Sequence, residues 1–379
     1  MECYAQVVGS GMNINVRPVA ILVKALCLFV LINIMFGLTK PSVADISIYN
    51  TLVPGLKRMP FGNYSDPYTV TVDSADAMFA AHEVSAKKES EEIRIALVGD
   101  SSIYGESLSS QDTLSGQWNE LSPQCNGKKI KIYNLGYPHP SIIKDLVFIE
   151  EAVDRQPDVI IWFVTLNTVM NQYRLNPFLT GNRERALQMM ETYDIPFGSR
   201  KALSEQTTAF YQDSIYGQRS FLARWLKLQA LGLLWYVAGD DFHLEQGSKE
   251  IVSPDVKKDP NYRDLPPDSD LKESLLLGAL TAGHAVAGEI PVLLVNEPIF
   301  VATGMHSDVR YNDLYPRWAY DQYRGLLAEH AQANSINYLD MWNAIPPEYF
   351  TDTPLHLSED GERLFAEQLN PKLLSLVCP

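Results

Sequence analysis

A serine that can attack, a histidine that can take its proton and an acid that can hold the histidine stand at the edges of regular elements in this chain. Ser101 stands next to last in the stretch Ile93-Arg-Ile-Ala-Leu-Val-Gly-Asp-Ser-Ser102. Its apolar run reads as a strand buried in a parallel sheet, and Gly99-Asp100-Ser101-Ser102 breaks that strand. Open α/β sheets place their ligands at the carboxyl ends of such strands. A serine hydroxyl needs a base within hydrogen-bond reach before it becomes a useful nucleophile. His356 lies on a loop just before a helical pattern, and Asp352 stands four residues earlier on the same loop. An acid there is placed to accept the second ring N–H and to stabilise the imidazolium. A tetrahedral intermediate also needs donors for its oxyanion. Candidate stretches follow the next two strands: Asn134-Leu-Gly-Tyr-Pro-His-Pro-Ser141 and Thr165-Leu-Asn167.

The elements that must position these residues alternate along the chain. Runs at Ile93–Val98, Ile130–Tyr133, Val159–Val164, Pro291–Asn296 and Ile336–Leu339 read as strands. Helical patterns occupy Thr113–Leu121, Ser141–Val153, Leu271–Ala287, Ala319–Ala333 and Glu359–Leu369. This alternation implies right-handed βαβ units. The expected fold class is α/β: three α/β/α layers on a parallel five-stranded sheet, flavodoxin-like, over residues 91–379. The alternation lapses over residues 174–270, which read as a large helical insertion. Its apolar run from Phe221 to Ala238 is expected as a lid or core helix, the alternative being a membrane-interface or partner-binding helix. Lys257 to Asp270, rich in proline and aspartate, reads as a loop.

Taken together, these residues resemble the SGNH hydrolases of the GDSL lipase/esterase superfamily. Gly99-Asp100-Ser101 is similar to the first block of that family, which implies Ser101 as nucleophile and its backbone N–H as one oxyanion donor. Asn134-x-Gly136 resembles the approach to the second block, whose glycine position is occupied here by His139. Thr165-x-Asn167 stands where the third block has Gly-x-Asn, so the resemblance implies that Asn167 donates its side-chain amide to the oxyanion. His356-Leu-Ser-x-x-Gly361 resembles the last block. The family's acid usually stands three residues before the histidine, a position held here by Thr353, with Asp352 one residue further away. The resemblance covers about residues 91–175 and 288–370. An anchor, an extracytoplasmic domain of this kind and a long insertion also resemble the subgroup that works beside membrane-bound O-acyltransferases on cell-envelope polymers.

Composition sets the surroundings of this chemistry. The chain has 379 residues, 46% of them hydrophobic, enough for a sizeable core. A net charge of −15 argues against nucleic acid or anionic lipid as the main partner. Residues 18–38 carry one charge, Lys24, and have about the length of a bilayer-spanning helix. Arg17 and Lys24 favour an inside amino terminus. The expected layout is a cytoplasmic tail over 1–17, an uncleaved anchor over 18–38 and an extracytoplasmic stalk over 39–90; a cleaved signal peptide is the alternative. Asn63-Tyr64-Ser65 fits a glycan acceptor if the source glycosylates such sites. Cys125 and Cys378 form an even pair in an oxidising compartment, at predicted positions compatible with a bridge, the alternative being two buried thiols. His82, His139, His284, His306 and His330 are scattered without metal-ligand spacing, so neither a metal nor another cofactor is expected. The function expected is an exported serine esterase acting on an acyl ester through an acyl-serine. The alternatives are acyl transfer to a cell-envelope glycan with a membrane-bound O-acyltransferase partner, or a non-catalytic binding protein of the same fold.

Overall fold

The computed structural model describes residues 17–41, 43, 46, 48, 52, 55–59, 75–171, 177–204, 210–238, 251–267 and 269–378. The tail before residue 17, the Asn63-Tyr64-Ser65 sequon and the remaining parts of 39–90 and 174–270 lie outside the described residues. The chain divides into two compact units, Met1–Pro41 with Thr208–Leu222, and Ser42–Thr207 with Ala223–Pro379. In the first unit, α1 (Pro18–Thr39) is long and apolar enough to cross a membrane, which suits a membrane anchor or a signal sequence. Its Asn33 side chain accepts the Tyr216 N–H at 2.9 Å, and Lys40 faces Asp213 at 3.3 Å.

In the second unit the order is α2 (Ala75–Ala81), β1 (Glu92–Gly99), α3 (Ser101–Tyr104), α4 (Leu114–Glu120), β2 (Gln124–Cys125), β3 (Lys128–Gly136), α5 (Ile142–Asp154), β4 (Val159–Val164) and α6 (Leu166–Val169). The insertion supplies α7 (Pro177–Gly181), α8 (Arg183–Thr192) and α9 (Arg200–Ser204), and also α10 (Arg219–Ala238), whose residues up to Leu222 are counted with the first unit. The alternation then resumes with α11 (Leu277–Ala287), β5 (Val292–Asn296), α12 (Arg317–Ala333), β6 (Asn337–Asp340) and α13 (Glu359–Val377).

The sheet has six strands in the order β2-β3-β1-β4-β5-β6, where five were expected. The added strand is the two-residue β2, antiparallel to β3, while every other pair is parallel. Its cause is local. Asn126 and Gly127 both take positive φ, 50° and 82°, the conformation that joins two strands by a tight Asn-Gly hairpin. The hairpin brings Cys125 to Cys378, and the two are bonded, tying the sheet edge to the end of α13.

Alternation along β1 feeds both faces. Ala96 and Val98 join the core with Phe148, Trp162 and Leu280, whereas Ile95 and Leu97 join Trp118, Phe163 and Phe365. Helices α5 and α11 therefore cover one face, and α4 and α13 the other. Two helix boundaries differ from expectation by more than a turn, the others by at most two residues. Helix α11 begins at Leu277 because Leu275 pairs with Met170, and Leu276 N–H donates to Val169 O at 2.8 Å. Helix α13 runs past Pro371 to Val377, with buried Leu373 and the Cys378 bridge holding its last turns.

Of the segment 39–90, the described residues Leu56, Arg58 and Met59 and nearly all of α2 are buried. Phe79 packs edge-on against Phe148 at 5.3 Å, and the Ala75 N–H donates to Asn182 Oδ1 at 2.8 Å.

Candidate active site

The turn from β1 into α3 is shaped by glycines and a cap. A Cβ on Gly99 would lie 2.5 Å from Ile103 Cγ1, so only glycine lets the strand end this close to the helix that follows. Asp100 caps α3, its Oδ1 accepting the Ser102 N–H and the Ser102 hydroxyl, each at 3.1 Å. Gly105 closes the helix with φ 74°. From the neighbouring strand, Asn134 Nδ2 donates to Ile103 O at 2.7 Å, while its Oδ1 accepts the Gly136 N–H at 3.0 Å. A Cβ on Gly136 would lie 2.3 Å from Tyr104 N, so the Asn134-x-Gly136 pair clamps the short helix that carries Ser101. Arg58, 4% exposed, adds a fastener that the sequence analysis missed. It donates to Gly105 O at 3.1 Å and Leu108 O at 3.0 Å, with its guanidinium over the Tyr104 ring. No local spacing marks such a contact, because it joins residues 47 and 50 positions apart.

Ser101, His356 and Asp352 come together at the end of β1. Ser101 Oγ lies 2.9 Å from His356 Nε2, and Asp352 Oδ1 lies 3.1 Å from His356 Nδ1. A carboxylate only accepts, so Nδ1 carries the proton and Nε2 is left to accept the Ser101 O–H. The loop holding them is pinned by its threonines. Thr351 donates to Asp352 Oδ1 at 3.1 Å, and Thr353 Oγ1 accepts the His356 N–H at 3.1 Å and the Leu355 N–H at 3.3 Å. Thr353 thus holds the backbone of the histidine while Asp352 faces its ring. Ser358 then caps α13.

Burial opposes a charge on His356, but the Asp352 hydrogen bond and charge outweigh it, with help from Glu106 and Asp100, and the pKa is raised. Asp352 is held below the usual carboxylate range, first by the His356 hydrogen bond, against partial burial. Glu106, absent from the sequence reading, places Oε2 3.8 Å from His356 Nε2. Its position follows from α3 ending at once, since the Glu106 N–H turns back onto Ser101 O at 3.2 Å.

The oxyanion candidates flank Ser101. Strands β3 and β4 lie on either side of β1, and His139 follows the first while Asn167 follows the second. His139 takes φ 83°, so a histidine adopts the left-handed turn that glycine favours. Burial, then the charge of Lys144, lowers its imidazole pKa. Thr165 is buried and caps α6 in a reciprocal arrangement with Thr168, the two exchanging backbone-to-hydroxyl bonds at 3.2 and 3.4 Å. This gives a side chain at that position a structural use. Asn167 Oδ1 accepts the Tyr262 hydroxyl at 2.8 Å and Arg263 Nη2 at 3.0 Å. Both donors lie in the stretch expected only as a loop.

Beneath the turn sits a buried carboxyl that sequence reasoning also missed. Glu297, at the end of β5, meets the Ser102 hydroxyl, which also meets Asp100 Oδ1. Ser102 has one hydroxyl proton for two acids. Burial, then the charge of Asp100, pushes the Glu297 carboxyl well above its usual range. The consistent arrangement is a chain in which protonated Glu297 donates to Ser102 Oγ and Ser102 donates to Asp100. On the other side, buried Lys144 donates to Gly99 O at 2.6 Å and Tyr137 O at 3.0 Å and pairs with Asp145 at 2.9 Å. Among the described residues no group of three or more His, Cys, Asp or Glu is arranged to hold a metal.

No protein-family model and no curated protein matches the chain. Solved structures do resemble it. A carbohydrate acetylesterase family member from Sinorhizobium meliloti is 11% identical over 75% of this chain and 98% of its own, with a TM-score of 0.33. The aryl esterase of M. smegmatis is 11% identical over 75% of this chain and 99% of its own, with a TM-score of 0.33. A lipase/acylhydrolase from Enterococcus faecalis is 12% identical over 74% of this chain and 96% of its own, with a TM-score of 0.34. Likenesses this distant add nothing to the chemistry, which rests on the geometry of Ser101, His356 and Asp352.

Proposed function

We propose that this protein is a serine esterase of the SGNH type that cleaves an acyl ester through an acyl-Ser101 intermediate. The observation that carries the reading is the unbroken line from Ser101 Oγ to His356 Nε2 at 2.9 Å and from His356 Nδ1 to Asp352 at 3.1 Å. As Ser101 attacks the ester carbonyl, its proton passes to His356 Nε2 and Asp352 stabilises the imidazolium. The oxyanion takes donors from the Ser101 and His139 backbone N–H groups and the Asn167 amide. His356 returns the proton to the leaving alcohol, and water activated by the same nitrogen then releases the acid. Incubation of the full chain with p-nitrophenyl acetate tests this, with loss of hydrolysis expected in both Ser101→Ala and His356→Ala. Retained hydrolysis in both variants rejects it.

The same acyl-enzyme passed to a sugar hydroxyl is the second reading. It is in keeping with α1, whose length and apolar composition suit a membrane anchor, the setting in which a membrane-bound O-acyltransferase partner would work. In that setting the catalytic domain is exported and the acceptor is a cell-envelope glycan. An acyl donor supplied together with a glycan separates the two: acylated glycan supports transfer, free acid alone supports hydrolysis.

A further inference from the structure

We propose that Tyr262 and Arg263, at the end of the insertion, are positioning residues of the oxyanion hole, and that Arg263 decides which end of the Asn167 amide faces the reacting carbonyl. This rests on the reading of Ser101 as nucleophile.

Tyr262 and Leu265 exchange backbone hydrogen bonds at 2.9 and 3.0 Å, leaving Arg263 and Asp264 as the tip of a tight turn. Arg263 takes φ 55°, a left-handed conformation that a side chain disfavours. Such strain persists only where the surroundings impose it, and here they do. Arg310, 6% exposed, donates to Asp259 O at 2.8 Å and Asn261 O at 3.0 Å, and Trp318 Nε1 donates to Pro260 O at 2.7 Å. The Tyr262 ring lies 6.4 Å from that of Tyr315. The turn is therefore fastened to the segment before α12 and to the first turn of α12, and delivers two donors onto one atom, Asn167 Oδ1.

The two donors are not equivalent. A tyrosine hydroxyl both donates and accepts, so Tyr262 alone tolerates either orientation of the amide. A guanidinium has no acceptor, so only the carbonyl end of Asn167 can face Arg263. With Oδ1 committed to Tyr262 and Arg263, Nδ2 is the donor end of the amide that the proposed mechanism uses. The insertion thereby acts on the chemistry through a first-order requirement, the direction of one amide.

The test uses the full chain and p-nitrophenyl acetate, with variants Arg263→Gly, Arg263→Lys, Tyr262→Phe and Ser101→Ala. Glycine suits the left-handed turn, so Arg263→Gly keeps the backbone and removes the donor. We expect its kcat to fall about 10-fold or more with KM within about 2-fold, and its Tm to stay level or rise. Arg263→Lys, still a pure donor, restores most of kcat, and Tyr262→Phe loses less than Arg263→Gly. The proposal is overturned if Arg263→Gly keeps wild-type kcat, or if its loss follows a lowered Tm and lysine does not restore it. It is equally overturned if Tyr262→Phe is the more damaging change. An active Ser101→Ala would sink the nucleophile reading itself, whereas an inactive one beside a wild-type Arg263→Gly would sink only the positioning role.

Discussion

Thr353 Oγ1 accepts the backbone N–H of His356 at 3.1 Å, leaving the ring of that histidine to Asp352. The position one residue closer to His356 is thus committed to the backbone. An acid moved there does not inherit the role of Asp352. The double variant Asp352→Ala/Thr353→Asp is expected to be as inactive as Asp352→Ala, with kcat reduced about 100-fold or more. Recovery to within about 10-fold of wild type in the double variant would show that the site accepts either register.

Glu106 adds negative charge 3.8 Å from His356 Nε2. With neutral His356 as the proposed base, activity is expected to be lost as pH falls through its pKa, which the surroundings raise. Removing charge that favours the imidazolium lowers that pKa. Glu106→Gln should therefore move the acidic limb of the pH–kcat/KM profile to lower pH, and Asp352→Asn should move it further, because Asp352 contributes more. A shift of either variant toward higher pH contradicts the assignment.

Glu297 tests the buried proton. Its carboxyl is raised by burial and then by Asp100, so the folded state is expected to keep this proton to higher pH than the unfolded chain does. Folding stability from this group is present below the unfolded pKa and declines as pH rises toward the folded one. Glu297→Gln keeps a donor to Ser102 Oγ without that dependence. Its Tm should fall less than wild type between about pH 5 and about pH 8. Glu297→Ala leaves Ser102 without that donor and opens a void, and should cost about 2–3 kcal/mol in denaturant unfolding. Equal pH dependence in Glu297→Gln and wild type would mean the carboxyl is ionised.

His139 occupies a left-handed turn at φ 83°. Glycine relieves that conformation and keeps the backbone N–H assigned to the oxyanion. His139→Gly is expected to raise stability by about 1 kcal/mol with kcat within about 3-fold. A kcat loss of about 100-fold would give the imidazole itself a role in the chemistry.

The sequence exposed what is local. Buried strand runs located the parallel core of the sheet, and the Gly-Asp-Ser and His356 motifs named residues that the structure brings within hydrogen-bond distance. The two-residue edge strand was missed, although Asn126-Gly127 carries the short-range hairpin signal that could have found it. Contacts between distant segments were not. Arg58 reaching Gly105, Glu297 beneath Ser102, and Tyr262 with Arg263 on Asn167 join residues that no periodicity relates. Asp352 was legible as the acid from residue type and loop, but its spacing, one residue off the family's, did not show that backbone turns would bring its carboxylate to the His356 ring.

The most direct test of the account is covalent trapping of the nucleophile. The full chain is treated with a fluorophosphonate, digested, and the modified residue located by mass spectrometry. A single phosphonylated serine is expected at Ser101, lost in Ser101→Ala and strongly reduced in His356→Ala. Labelling at another serine, or undiminished labelling in both variants, would contradict it.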